Sequence, residues 1–530
     1  MHCVIGSGPA GVACAHALLE RGARVHMVDG GIALEPWRAG RVELLHAAGP
    51  ATWTAEATAF MRDGVTAGRR GVPLKLLFGS DFPYREAHER LGLDVRESGL
   101  RASLAQGGLS TVWGASMLPY SGHDFDGWPF GAARLAPHYR AVTRLTGLSA
   151  VVDDLSDTFP LWHDRPTAVA SSRQALGVLA RLEANRDALR GAGIVFGRSR
   201  LAVRGAGSES PGSECVQCGL CMHGCPQGAI YSSAASLEGL RRHRGFSYEP
   251  GVVVDTVREH SDGAVVCGSQ RLDGEARSIP CERVYVAAGV LATTRIILAS
   301  MAEFDRTIRL ADSQYFLVPM FLHFNTPDVR DERLHALSQL FIEISDSEIS
   351  PFSVHLQLYT YSELLGAAVR DTFGRLSGVL EPVARLLERR LAVLQGYLHS
   401  AHSGTLEATL RRQADARGPI LEVRGRPGTE TRDVVRRVLR KLRRHAGSIG
   451  ATTLGPLLRL EAPGRGFHVG GAFPMRRTPQ AFESDELGRP SGWRRLHAVD
   501  ATVLPSVPAT TITLSVMANA HRIGWEAACP

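Results

Sequence analysis

Lysine is almost absent from this chain: only Lys75 and Lys441 stand among its 60 basic side chains, and the rest are arginine. The excess over 53 acidic residues is formally +7, small for 530 residues and spread along the chain. A nucleic-acid binder concentrates positive charge on one face or tail. No nucleic-acid partner is therefore expected, and the arginine preference reads as coding bias. Also missing is any run of 18 or more apolar residues, so no transmembrane span is expected. No basic segment followed by an apolar stretch precedes the first strand-like residues, and a cytoplasmic protein is expected. Cysteine is scarce outside one place. Of nine, four crowd into residues 215–225, which argues for metal chemistry rather than a disulfide framework. No internal repeat is visible.

What is present begins as a βαβ unit. His2–Ile5 reads as a strand, Pro9–Arg21 as a helix with one apolar face, and Ala23–Val28 as a second strand ending at Asp29. Between strand and helix lies Gly6-Ser7-Gly8-Pro9-Ala10-Gly11, a G-x-G-x-x-G turn. Gly6 permits the tight turn, Gly8 lets backbone approach a pyrophosphate, and Gly11 lets helix and strand pack closely. The helix N-terminus then offers free N–H groups to the anion. Asp29 stands where a carboxylate accepts hydrogen bonds from a ribose. The motif implies a dinucleotide but does not separate FAD from NAD.

Further on, a helix is expected over Pro137–Gly147, a polar loop over 200–214, and strands at GVVVDTV, GAVVCGS and RVYVAAG within 250–300. Residues 310–360 contain strand-like FLVPMFLHF and SVHLQLYTY. Residues 362–398 read as helical. Within them, Leu376, Val379, Leu380, Leu386, Leu387 and Leu391 suggest an ordinary core-facing helix rather than one lying on a membrane. Thr431–His445 reads as a basic amphipathic helix, and 496–526 as strand, Pro-punctuated turn and helix.

Four stretches carry a family resemblance. Gly107-Gly108-Leu109-Ser110-Thr111-Val112-Trp113-Gly114 resembles the GG-x-S-x-x-W-G segment along the flavin of glucose–methanol–choline oxidoreductases. Asp126-Gly127-Trp128-Pro129 with Leu135-Ala136-Pro137-His138-Tyr139 is similar to that family's D-x-GWP and L-x-P-x-Y element. Val284–Thr293 and the tail from Val499 through Pro508 to Arg522 resemble its V-AAG strand and C-terminal signature. The resemblance spans both ends but not residues 300–455, where only some bacterial carbohydrate-modifying members look similar.

The resemblance implies an α/β fold with a Rossmann-type FAD-binding domain assembled from separated segments and an inserted α+β substrate domain. The expected segments are 1–135, 197–300 and 456–530 for the FAD domain, with 136–196 as a cap and 301–455 as the substrate-binding domain. It implies FAD contacts at Gly6, Gly8, Pro9, Ala10, Gly11 and Asp29; at Gly108, Ser110, Trp113 and Gly114; at Val253, Ala288 and Gly289; and at Asp500, Ala501, Thr511 and Ile512. One subgroup joins FAD covalently to a histidine; the matching residue here is Val112, so non-covalent FAD is implied.

Hydride removal from an alcohol needs a base for the hydroxyl proton, and neutral imidazole suits this. His468, in Gly466–Met475, resembles the family's H-x-x-G-x-x-x-M histidine and is the expected catalytic base. The family's second His or Asn falls at Thr511, which hydrogen-bonds but is a poor base. Thr511 is therefore expected either to orient the substrate hydroxyl or to pack against the ring.

Cys215, Cys218, Cys221, Cys225 and Pro226 form C-x2-C-x2-C-x3-C-P, the ferredoxin spacing. A 4Fe-4S or 3Fe-4S cluster is the preferred reading, with zinc or no metal as alternatives. Either Cys225 bends back to complete the site, or Cys267 or Cys281 does. The expected activity is FAD-dependent oxidation of an alcohol on a sugar, aminoglycoside or related glycosylated molecule. An external acceptor (a redox protein, a quinone or O2) would take the electrons. A flavin-dependent reductase or desaturase fed by an iron–sulfur centre is the competing enzyme, and a flavin-binding scaffold without turnover the non-enzymatic one.

Overall fold

The first and last strands of the chain lie in one sheet. In the computed structural model, which describes residues 1–64, 74–208, 212–413 and 418–528, strands Leu496–Ala498, Arg283–Val286, His2–Ile5, Val25–Asp29 and Phe246–Pro250 follow one another in that spatial order. Every pair is parallel. A parallel sheet is buried on both faces, and His2–Ile5 is buried at all four positions. Helices Pro9–Glu20 and Thr513–Ala527 cover one side, and Gly524 lets them approach: a Cβ there would lie 2.7 Å from the carbonyl oxygen of Cys14. This is the discontinuous Rossmann-type α/β arrangement expected, with the tail returned to the first βαβ unit.

Three further sheets surround it. Strands Val252–Glu259, Ala264–Gln270 and Ala276–Cys281 form an antiparallel layer. A larger antiparallel sheet runs Ala451–Thr453, Tyr315–Leu322, Leu391–Tyr397, Val354–Tyr359, Leu340–Ile344 and Ile194–Arg198. One face of that sheet is covered by helix Thr431–Arg444 through Val434, Val435, Val438 and Leu442, while its arginines face outward, as the amphipathic pattern predicts. The fourth sheet joins Val469–Gly470, Thr307–Asp312, Thr405–Arg411, Ile420–Arg426 and Leu93–Arg96.

The reading of 362–398 as helical needs correction. Helices cover Glu363–Thr372 and Glu381–Glu388, but Leu391–Tyr397 is a central strand. There burial alternates, with Ala392, Leu394 and Gly396 inside, a period of two that the leucine-rich composition hides. The core-facing expectation also fails for Leu376, Val379 and Leu386, which are exposed by 60%, 78% and 55%. Helix Glu381–Glu388 is anchored instead by the carboxylate of Glu388, fully buried and bound by Arg330 and Arg370. Among the described residues no helix is long and apolar enough to cross a membrane.

Candidate active site

The glycine turn behaves as its spacing predicts. Gly6 adopts φ +101°, and a Cβ there would stand 2.4 Å from the carbonyl oxygen of Ala287. A Cβ on Gly11 would stand 1.9 Å from that of Gly6, so this glycine serves packing behind the turn. A Cβ on Gly8 would meet no atom within 4 Å, so its backbone faces open space at the helix N-terminus. That space is a cavity lined in this region by Gly6, Gly8, Pro9, Ala10 and Asp29. Val253 lines it from strand Val252–Glu259, Ala288 and Gly289 from the turn after strand Arg283–Val286, Gly108 from the glycine-rich segment 107–114, and Asp500, Ala501 and Ile512 from the tail. Separated stretches of sequence thus converge on one void, and Gly11 is the only predicted cofactor contact that lines neither this cavity nor its neighbour.

Two carboxylates organise the walls. Asp29 accepts hydrogen bonds from Ser7 Oγ and from Tyr248 Oη at 2.7 Å. Ser7 Oγ also accepts from the Gly107 amide at 2.9 Å, tying the phosphate turn to the flavin-side segment. Asp500 accepts from the Gly289 amide at 2.9 Å and from Thr293 Oγ1 at 2.5 Å. Its other oxygen accepts from the amide and hydroxyl of Thr502 at 3.0 and 2.7 Å. Burial raises the pKa of both carboxyls, and these hydrogen bonds oppose the rise.

A second cavity adjoins the first, sharing Pro9, Leu109, Phe467 and Thr513 as wall. Ser110, Trp113, Gly114, His468 and Thr511 line it, as does Val112. Phe467, at the junction, holds φ +59°, a left-handed conformation that costs a bulky residue and that recurs at functional sites. It turns the chain so that His468 faces the second cavity. The imidazole stacks on Tyr397, ring centroids 4.7 Å apart at 27°. Its Nδ1 is buried without a partner among the described residues. Burial, followed by His355, pushes this imidazole down to about 3, so it is held as free base at neutral pH. Thr511 Oγ1 accepts from the Leu118 amide at 3.0 Å, which leaves its proton available to the cavity.

Sequence reasoning missed the opposite wall. Tyr315, Gln357, Tyr359, Gln395 and Tyr397 enter the second cavity from the larger antiparallel sheet. Gln357 sits opposite Gln395 in register, so these side chains share a face. The period-two spacing Gln357/Tyr359 and Gln395/Tyr397 was a usable signal, obscured where 391–397 read as helix. Lys75 also lines this cavity and donates to the Trp113 carbonyl at 3.1 Å. Burial pushes it down to about 8, opposed by Cys221 and Cys225. With Arg465 it gives the cavity two cations, and none of its described lining residues is an aspartate or glutamate.

All four cysteines of the ferredoxin-like run line one small third cavity, together with His335, and Leu337 also borders the second. Cys225 lines this cavity with the other three. Cys267 and Cys281 are not part of it: they lie on strands Ala264–Gln270 and Ala276–Cys281. Among the described residues no group of three or more His, Cys, Asp or Glu stands ready to hold a metal ion.

No protein-family model matches the chain, and no curated protein matches it. Solved structures do. Pyridoxine 4-oxidase from Mesorbium loti superposes with TM-score 0.60 at 13% identity, over 99% of this chain and 98% of that one. A mutant of Aspergillus oryzae RIB40 formate oxidase, studied for its FAD modification, superposes with TM-score 0.61 at 13% identity, over 99% and 97%. The fold is shared along the whole chain. It is an α/β fold built around a parallel sheet, as the sequence motifs imply.

Proposed function

We propose that this protein is an FAD-dependent oxidoreductase of the glucose–methanol–choline type that oxidises an alcohol, with His468 as the base. The observation that carries this reading is the continuity of two cavities: His468 faces one, the dinucleotide-type glycine turn lines the other, and Phe467 belongs to both. The first cavity fits FAD: an open approach at Gly8, a free helix N-terminus and a carboxylate at Asp29. When bound, non-covalent FAD supplies the hydride acceptor. The chain's own work is to take the hydroxyl proton at His468, orient the alcohol through Thr511, and seal the site from water. The two named oxidases support flavin oxidation with O2 as one acceptor, alongside a redox protein or quinone.

The substrate reading is a hydroxyl on a sugar or related glycosylated small molecule. Tyrosine rings and two carboxamides on one wall suit a polyhydroxylated ring. Lys75, on the cavity wall, weighs against a polycationic aminoglycoside and toward a neutral or anionic ligand. For the cysteine run we favour an iron–sulfur cluster. What supports it is the ferredoxin spacing together with the four cysteines lining one cavity. Iron and sulfide analysis of purified protein decides it. A cytoplasmic location accords with reduced cysteines.

The test of the main reading is anaerobic addition of alcohols to the FAD-loaded protein. Flavin absorbance is expected to bleach with a substrate, and His468→Ala is expected to abolish bleaching while retaining FAD. Bleaching that survives unchanged in His468→Ala would reject the assigned base.

A further inference from the structure

Behind the substrate wall lies a buried polar chain that the proposed reaction does not use. Strand Leu340–Ile344 places Glu343 opposite His355 of strand Val354–Tyr359. Glu343, His355 and Gln357 are 4%, 0% and 2% exposed. Glu343 Oε1 lies 2.5 Å from His355 Nδ1, and His355 Nε2 lies 3.0 Å from Gln357 Nε2. Gln357 Oε1 in turn accepts from Tyr359 Oη at 3.1 Å and from Ser116 Oγ at 3.4 Å.

With Glu343 as a carboxylate and His355 as a neutral imidazole, each hydrogen bond takes one direction. A carboxylate only accepts, so His355 gives its Nδ1 proton to Glu343. Its Nε2 is then an acceptor, which the carboxamide nitrogen of Gln357 satisfies. That orientation points the Gln357 oxygen at Tyr359, whose single hydroxyl proton is thereby committed. Ser338 lies beside the same hydroxyl. What remains for the cavity is a lone pair of Tyr359. The hydroxyl lies against the flavin-side segment: a Cβ on Gly114 would be 3.7 Å from it. A buried carboxylate is an expensive feature; here its effect is to set the polarity of one atom on the cavity wall.

We propose that Tyr359 presents an obligate hydrogen-bond acceptor to the substrate, oriented through Gln357 and His355 by Glu343, and so selects ligands with a donor hydroxyl besides the one oxidised. The inference rests on the alcohol-oxidising reading and narrows it to polyols and sugars rather than simple alcohols. Glu343 and His355 are positioning residues; Tyr359 is the group that meets the ligand.

The test uses FAD-loaded protein and two parent probes, methyl glucoside and myo-inositol, each with its mono-O-methyl and monofluoro derivatives. These replacements remove a donor while leaving an acceptor. Binding is read from perturbation of the oxidised flavin spectrum, so no turnover is needed. In the wild type, one replaced position is expected to weaken binding about tenfold, the equivalent of about 1.4 kcal/mol. In Tyr359→Phe that positional penalty is expected to vanish while penalties at other positions persist. In Glu343→Gln the His355 tautomer and the Gln357 amide are freed to reverse, and the penalty shrinks to about twofold to threefold. Should Glu343→Gln fold poorly, Gln357→Met breaks the same chain with a neutral side chain. For a parent that is turned over, KM is expected to rise in these variants while kcat stays within about twofold. Penalties in Tyr359→Phe identical to wild type, or no binding of either parent, would overturn the proposal. Selective binding without bleaching by any alcohol would instead sink the alcohol-oxidising reading and leave the acceptor assignment standing.

Discussion

The ring of Tyr397 lies on the imidazole of His468, centroids 4.7 Å apart and planes 27° from parallel. Tyr397 belongs to a central strand, so the imidazole is backed by a sheet rather than by a loop. Replacing Tyr397 with Leu removes the flat support and lets the imidazole turn; the rate of flavin reduction is expected to fall about tenfold, whereas Tyr397→Phe keeps the ring and most of the rate. Stopped-flow absorbance of both variants checks this. A Leu variant as fast as wild type would deny Tyr397 any part in holding the base.

The protonation state of His468 predicts a pH profile. A base must be free of its proton, so activity falls as pH drops through its pKa. Burial lowers that value from the ordinary 6.5 to about 3, which moves the acid limb far below neutrality. The kcat/KM for a neutral alcohol is therefore expected to stay flat between about pH 5 and 8. A one-proton decline centred near 6.5 would place the imidazole in a far wetter setting than the one described.

Two glycines of one turn should fail differently. Gly11→Ala forces a methyl to within 1.9 Å of the Gly6 carbonyl oxygen; overpacking of this kind costs about 1–3 kcal/mol, so the melting temperature of FAD-free protein drops. Gly8→Ala meets no protein atom and leaves that melting temperature unchanged, yet it raises the Kd for FAD by about tenfold or more. Thermal melts with and without FAD separate the two. Equal destabilisation of both FAD-free variants would mean that Gly8 is packed rather than open.

The cysteine run predicts stoichiometry. If its four thiols hold a cluster, Cys221→Ser, at the most buried of them, is expected to lose most bound iron and acid-labile sulfide. Cys267→Ser, on a separate strand, should keep both. Equal iron in the two variants, or none in the wild type, would dismiss the cluster.

The local motifs were legible because each is short and chemically self-sufficient. Strand, G-x-G-x-x-G and helix at 2–20 need only their own residues, and His468 announces itself through neighbouring glycines. The place of Asp500 and Ala501 on the first cavity was legible through the tail signature. The wall formed by Gln357, Tyr359, Gln395 and Tyr397 was not, because it exists only when strands distant in sequence come into register. Strand 391–397 was misread for a related reason: leucine and alanine favour helices in isolation, and burial between neighbouring strands overrides that preference. Lys75 carried no local signal at all; its interest arises from what encloses it.

The sheet that bears the glycine turn has Leu496–Ala498 as an edge strand, and Asp500 and Ile512 complete the first cavity. A ribosome making this polypeptide thus emits the opening turn almost five hundred residues before the parts that close around it. The nascent chain lacks that part of the cavity wall until the later stretch has been made. Premature termination anywhere upstream of Leu496 would yield a product with the first cavity left open on one side, however intact its amino-terminal βαβ unit.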